Sequence, residues 1–241
     1  MLIKHCRFSI HFDVDRLQRD VDKLQAAQWK EHYNKSNYDG EWTTLQLRAL
    51  GGSPDNNTAM QSSALQLQQS YLDTPMLQQC EYIPHVLNFF KAEKTAVRLM
   101  KLSAGAIIKP HRDYDLNLEQ GEARIHVPIY THAAVHFMLQ DERIVMDEGS
   151  CWYLNLSLPH SVKNLGTKDR IHLVIDLVAN DWLRNYFQET DHAIAMMEEP
   201  PAQAFKDDDK LKMIAELRRM QTPMGNQLAD EMEATLRKPT K

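Results

Sequence analysis

AVRLMKLS (96–103), RIHVPIYT (124–131), AVHFMLQ (134–140), RIVMDE (143–148), CWYLN (151–155) and IHLVIDLV (171–178) lie within about 85 residues of one another and decide the fold. Each is short, rich in β-branched and aromatic residues, and bounded by turn formers or polar loops, which is how a strand is written. None is joined to the next by a segment of helical period. Six strands in that arrangement predict an antiparallel sandwich or barrel rather than a parallel sheet with crossover helices.

Outward from this core the period changes. Upstream, HCRFSIHF (5–12) alternates like a half-buried strand, and Asp13 is placed to cap a helix over about 14–27 carrying Val14, Leu17, Val21 and Leu24. A short strand is expected at Thr43–Leu47, and 51–63 reads as a loop. Thr74-Pro75 opens a second helix through Met76, Leu77, Cys80, Ile83, Leu87 and Phe90, which Pro84 kinks or splits. Downstream, DWLRNYF (181–187), Phe205–Met220 and Gln227–Leu236 return to helical spacing, with MMEEPPAQ as a linker. The division this predicts is a strand-rich domain over 1–179, including its N-terminal helical support. A helical extension over 180–241 packs on the barrel or on a partner subunit, with a homodimer through these helices as one possibility.

The chain has 241 residues, 43% of them hydrophobic and 25% charged, with 8 Gly and 10 Pro: the composition of a folded globular protein. A net charge of −5 with no Lys/Arg run interleaved with aromatics argues against nucleic acid as partner. No stretch approaches the ~20 apolar residues of a membrane span, and the first residues lack a secretory signal's uninterrupted apolar run, so a cytoplasmic location is the expectation. Cys6, Cys80 and Cys151 are scattered without a Cys-x-x-Cys spacing and read as small buried apolar residues.

The chemistry is concentrated in KPHRDYDLNLEQGEARIHVPIY (109–130) and LPHSVKNLGTKDRIHLVID (158–176). His111 and Asp113 are two apart, so on extended backbone they point to one side and can share an ion. A neutral imidazole from a distant strand, His160, would complete two His and one carboxylate on one face of an octahedron, with the other face open. Each has a plainer reading: PHRDYD as a polar surface turn, His160 as a turn histidine after Pro159. Arg170 opens an otherwise apolar strand, where a guanidinium needs an anionic partner, and a dicarboxylate such as 2-oxoglutarate would supply one. Alternatively it is a solvated residue of the loop GTKDR. Arg124 and His126 either line the same site or form an exposed strand face. Arg98 faces the interior or solvent, Trp42 is a core aromatic or a site wall, and His172 reads as a structural histidine.

Taken together, PHRD (110–113), Arg124-x-His126, EGSCWYLN (148–155), LPHSVKN (158–164) and DRIHLVID (169–176) resemble the aspartyl/asparaginyl β-hydroxylase family of iron(II)/2-oxoglutarate oxygenases. The resemblance is strongest over about 95–178, with weaker similarity to the bacterial proline 3-hydroxylase branch through YDGEWTTLQL (38–47). It implies a double-stranded β-helix, or jelly-roll, barrel with N- and C-terminal helices. His111, Asp113 and His160 would be the iron ligands and Arg170 the anchor of 2-oxoglutarate's distal carboxylate. Arg124 and His126 would contact the co-substrate or a substrate carboxylate, with Arg124 the candidate grip on the latter. The expected reaction uses dioxygen to hydroxylate a free amino acid, or an Asp, Asn or Pro residue of a peptide, and converts 2-oxoglutarate to succinate. The competing reading is a cupin-type metal protein that is not an oxygenase, such as an isomerase or small-ligand sensor.

Overall fold

A computed structural model describes residues 2–24, 26–56, 70–113, 116–189, 192–198 and eight helical positions between 211 and 233. The chain divides into two compact units, Met1–Met197 and Glu198–Lys241. The first is mainly antiparallel β, with few helices.

Two sheets build it. The larger runs β14 (Ala193–Met197), β1 (Leu2–His11), β11 (Ser150–Leu154), β8 (Glu122–Tyr130), β13 (Arg170–Val178), β6 (Lys94–Leu102), β4 (Trp42–Leu50) and β2 (Lys30–Glu31), with β5 (Tyr71–Asp73) also paired to β4. The smaller runs β10 (Glu142–Ile144), β9 (Val135–Leu139), β12 (His160–Asn164), β7 (Ile107–His111) and β3 (Tyr38–Asp39). The six expected strands are present. Six strands that sequence patterning did not single out, the short β2, β3 and β5 together with β7, β12 and β14, are also there.

The alternation of the central strands explains what each face does. On β13, Ile171, Leu173, Ile175 and Leu177 join one apolar core with Ile125 and Val127 of β8, Val97 and Leu99 of β6, and the helices α1 (Val14–Lys23), α2 (Ile83–Phe89) and α3 (Asp181–Tyr186). Each such Leu, Ile or Val contributes about 1.5–3 kcal/mol by leaving water. The opposite face of the same strands carries Met100, Trp152, Leu154 and Val174, which pack on Ile108, Phe137, Leu139 and Val162 of the smaller sheet. The polar residues of that inner face, Arg98, Arg124, His126, Arg170, His172 and Asp176, are buried as well. The polar half of β13's alternation therefore meets an interior, not solvent.

The helices follow local chemistry. Asp13 caps α1 by accepting from Arg16 N at 3.0 Å, as its position predicts. The helix stops at Lys23, short of the expected residue 27, because Leu24 turns into the core with its N–H bonded to Val21 O. The second expected helix is split. A 3-10 turn at Leu77–Gln79 precedes α2, and Pro84 sits in α2's first turn, where its missing N–H costs nothing. The N–H groups of Glu81, Tyr82 and Ile83 at this junction all donate to the carboxylate of Asp20, at 2.7–2.8 Å. All three cysteines are free and buried.

Residues 180–197 belong to the first unit, so the boundary falls at Met197 rather than 179. α3 places Leu183, Tyr186 and Phe187 in the helix-side core, and β14 adds a strand beside β1. In the second unit Leu211, Ile214, Ala215, Arg218, Asn226, Ala229, Asp230 and Glu233 are helical. Arg218 there pairs with Asp230 and Glu233 at 2.8 and 3.0 Å. The remaining positions of the helices expected over 205–220 and 227–236, most of the linker and residues 57–69 lie outside the described residues. No helix among the described residues is long and apolar enough to cross a membrane.

Candidate metal centre and the cavity around it

His111 ends β7 and His160 begins β12, and the two are register partners across the antiparallel pair. Each follows a proline, in Lys109-Pro110-His111 and Leu158-Pro159-His160, and each ring turns back on its own chain in the same way. His111 Nδ1 lies 2.8 Å from Lys109 O and His160 Nδ1 lies 3.0 Å from Leu158 O. A carbonyl only accepts, so each Nδ1 carries the proton and each Nε2 keeps its lone pair. The ring centroids are 4.2 Å apart.

Asp113 is brought to the same spot by its backbone N–H, which donates to Leu156 O at 2.9 Å. Its Oδ1 lies 3.8 Å from His111 Nε2. Ligand atoms of His111, Asp113 and His160 all lie within 4.8 Å of one another, close enough to hold one ion, so the structure brings the predicted triad together. Burial, the neighbouring His111 and the guanidinium of Arg124 push His160 down to about 4, so its imidazole is neutral, as a ligand must be. For Asp113 burial favours the protonated form, but Arg124 and the two histidines outweigh it and hold the carboxyl below its usual range.

The triad lines a cavity of about 490 Å³ together with Trp42, Arg98, Arg124, His126, Phe137, Arg170 and Asp176, among others. That is room for a small co-substrate and a small substrate together. Phe137 stacks parallel to His160 as an apolar wall, and His32 stacks on Trp42 at 3.6 Å. Trp42 thus lines the site. His32, which nothing in its sequence surroundings singles out, is pushed down to about 3 by burial.

Arg170 is 3% exposed, which rules out the solvated-loop reading. Its Nη2 donates to His172 Nδ1 at 2.8 Å, while its Nε has no hydrogen-bond partner among the described residues. Burial without an opposing charge pushes the guanidinium down to about 9. Both ring nitrogens of His126 and Nε2 of His172 are likewise buried and unpartnered, and burial holds both rings well below the ordinary histidine value. A buried cation flanked by unsatisfied imidazoles is costly unless an anion that accepts hydrogen bonds completes it. This part of the cavity therefore fits a carboxylate, and His126 belongs to it rather than to an exposed face.

Arg124 lines the cavity, the first of its two readings, but its bonds are not those expected. Its guanidinium is taken by protein carboxylates: Nε and Nη2 fork onto Asp176 at 2.6 and 3.0 Å, and Nη1 donates to Asp113 Oδ2 at 2.7 Å. Arg98 also donates to Asp176. Burial opposes both charges, yet Asp176 raises Arg124 and the two arginines lower Asp176, so Arg124 and Asp176 stay ionised. Asp176 was not anticipated. Its sequence signal is an acid in the middle of an apolar strand, directly opposite Arg124 in register.

Comparison with known proteins comes last. A family model described as aspartyl/asparaginyl beta-hydroxylase matches residues 9–180. The chain is 26% identical over 192 residues to an L-proline cis-4-hydroxylase of Rhizobium meliloti (strain 1021), covering 79% of this chain and 66% of that protein. It is 28% identical over 178 residues to L-proline cis-3-hydroxylase 1 of a Streptomyces species, covering 72% and 59%. It thus spans a little under two thirds of the length of the curated relatives it matches. A solved structure of a Pseudomonas putida prolyl-4-hydroxylase aligns over 74% of this chain and 94% of that one, with a TM-score of 0.47 and 10% identity.

Proposed function

Because the chain belongs to the aspartyl/asparaginyl β-hydroxylase family, we propose that it is an iron(II)- and 2-oxoglutarate-dependent hydroxylase whose two sheets form a double-stranded β-helix barrel around the site. The observation that carries this is one cavity holding both a His-Asp-His cluster and a buried arginine with an unpartnered Nε. A metal protein without a dicarboxylate ligand has no use for the second feature.

His111 and His160 would bind the metal through Nε2 and Asp113 through one carboxylate oxygen, leaving half of an octahedron open. Iron(II) with 2-oxoglutarate and dioxygen supplies hydroxylation of an unactivated C–H bond, coupled to conversion of the co-substrate to succinate. The chain's own part is binding and orientation. Arg170 would anchor the distal carboxylate, with His172 fixing the guanidinium plane and His126 adding a hydrogen bond. Phe137 and Trp42 keep the walls apolar and exclude water. The substrate is a free amino acid, or an Asp, Asn or Pro residue of a peptide. The names of the two curated relatives favour a small amino acid such as proline.

The test is substrate-stimulated succinate formation. Purified protein is loaded anaerobically with iron(II) and 2-oxoglutarate, offered single amino acids and short peptides, and then exposed to air. Proline or a near relative is expected to raise succinate well above the uncoupled background. Full coupled turnover by a His111→Ala variant would refute the metal assignment.

A further inference from the structure

Two buried guanidinia, Arg98 and Arg124, stand beside the metal cluster, and the carboxylates they pair with among the described residues are Asp113 and Asp176. The distribution is unequal in a particular way. Asp176 takes the whole Nε–Nη2 edge of Arg124 and one N–H of Arg98, whereas Asp113 takes a single N–H of Arg124, through Oδ2. Oδ1 of Asp113 is left facing His111 Nε2.

We propose that Asp176 is a positioning residue for the metal site: by holding the Nε–Nη2 edge of Arg124 it fixes the guanidinium's orientation so that only Nη1 reaches Asp113, through Oδ2, and Asp113 Oδ1 stays available to the metal. This rests on the metal reading given above. A guanidinium prefers a carboxylate in the two-bond fork geometry. With Asp176 absent, the nearest carboxylate for Arg124 is Asp113, and a fork onto it would engage both oxygens and compete with the metal for Oδ1. Position supports the role. Asp176 is opposite Arg124 in the β13–β8 register, and Arg98 is opposite Val174, one inward-facing residue along β13. The backbone of three central strands thus holds all three partners. Ile175 and Leu177 on either side point into the helix-side core, fixing the strand's rotation. The side-chain hydrogen bonds of Asp176 go to Arg98 and Arg124, so it acts on the triad through Arg124.

Binding of Co(II), followed by its ligand-field absorption in the absence of 2-oxoglutarate, tests this without turnover. Asp176→Asn keeps the shape but makes one oxygen a donor, and is expected to weaken Co(II) binding about 10- to 100-fold, the range for groups that orient metal ligands. Because this variant leaves two arginines against one carboxylate, Asp176→Asn combined with Arg98→Met is measured as well. That pair restores charge balance while leaving Arg124 free to fork onto Asp113, so it is expected to stay weak. Full recovery in the double variant would show that only charge balance matters and would overturn the inference. So would Asp176→Asn binding within about threefold of the wild type, or loss of the native circular-dichroism spectrum in both variants, which would make Asp176 a folding residue. His111→Ala separates the two levels: if it too binds Co(II) normally, the metal reading itself fails. If it has lost Co(II) while Asp176→Asn has not, only the role of Asp176 falls.

Discussion

Replacing Arg170 by Met should make the ligand-free protein more stable while removing its response to 2-oxoglutarate. The guanidinium is 3% exposed, has no carboxylate partner among the described residues, and is pushed by burial to about 9. The unfolded chain therefore holds this proton more tightly than the folded one. The resulting penalty is fully present below pH 9 and fades as pH rises above it. The depression corresponds to at most about 5 kcal/mol at neutral pH. Met fills similar space without charge but leaves His172 Nδ1 without its 2.8 Å donor, at a cost of about 1–3 kcal/mol. The net expectation is a gain of about 2 kcal/mol, or several degrees in melting temperature. The same change removes a charge-assisted fork to the co-substrate, so the KM for 2-oxoglutarate should rise at least about 30-fold, equivalent to about 2 kcal/mol. Thermal or urea denaturation of both proteins, with and without 2-oxoglutarate, measures the two effects together. A variant less stable than wild type without ligand, and equally protected by 2-oxoglutarate, would refute both the uncompensated charge and the anchor.

Asp20→Ala should cost about 2–4 kcal/mol, since it leaves three N–H groups at the start of α2 without their acceptor; a urea midpoint unchanged from wild type would contradict this. His32, His126 and His172 are buried neutral with depressed folded values, so the unfolded state binds their protons first. Stability should be intact above pH 6.5 and fall below it, by up to about 4 kcal/mol per pH unit, until His32 itself charges near pH 3. Denaturation midpoints that stay flat between pH 7 and pH 5 would rule this out. Burial pushes the thiols of Cys6 and Cys80 up to about 12 and holds that of Cys151 well above the ordinary thiol value, so at pH 8 a thiol reagent should label none of the three natively and all three after denaturation. Gly149→Ala should destabilise the β1–β11 junction. Its backbone has φ +76°, and an added Cβ would sit 2.5 Å from both Phe12 O and the His11 ring; unchanged thermal melting would count against that packing.

How much of this was legible depends on how far apart the cooperating residues lie in sequence. The strands announced themselves because β-branched alternation is local, and the metal triad because two Pro-His pairs and an aspartate two residues on fall within short quotable stretches. β7 and β12 were harder. Each is five residues, and each carries one of the prolines or polar residues that mask a strand pattern, while the histidines that matter sit at their ends. The boundary at 179 missed α3 and β14 because their partners, Phe8 and the rest of β1, lie more than 170 residues upstream. Arg124 shows the limit most sharply. An arginine beside a histidine on a strand facing the site reads as a ligand for something that enters the cavity. Here its partner is built in: Asp176, 52 residues later, lies opposite it only because β8 and β13 pair in one register. A one-residue slip of that pairing would turn Asp176 toward the helices and leave the Nε–Nη2 edge of Arg124 without the carboxylate that holds it. What Arg124 does is thus set by strand register, while what Asp113 does is set by its own neighbours, and the two become one site where the chain pairs β8 with β13.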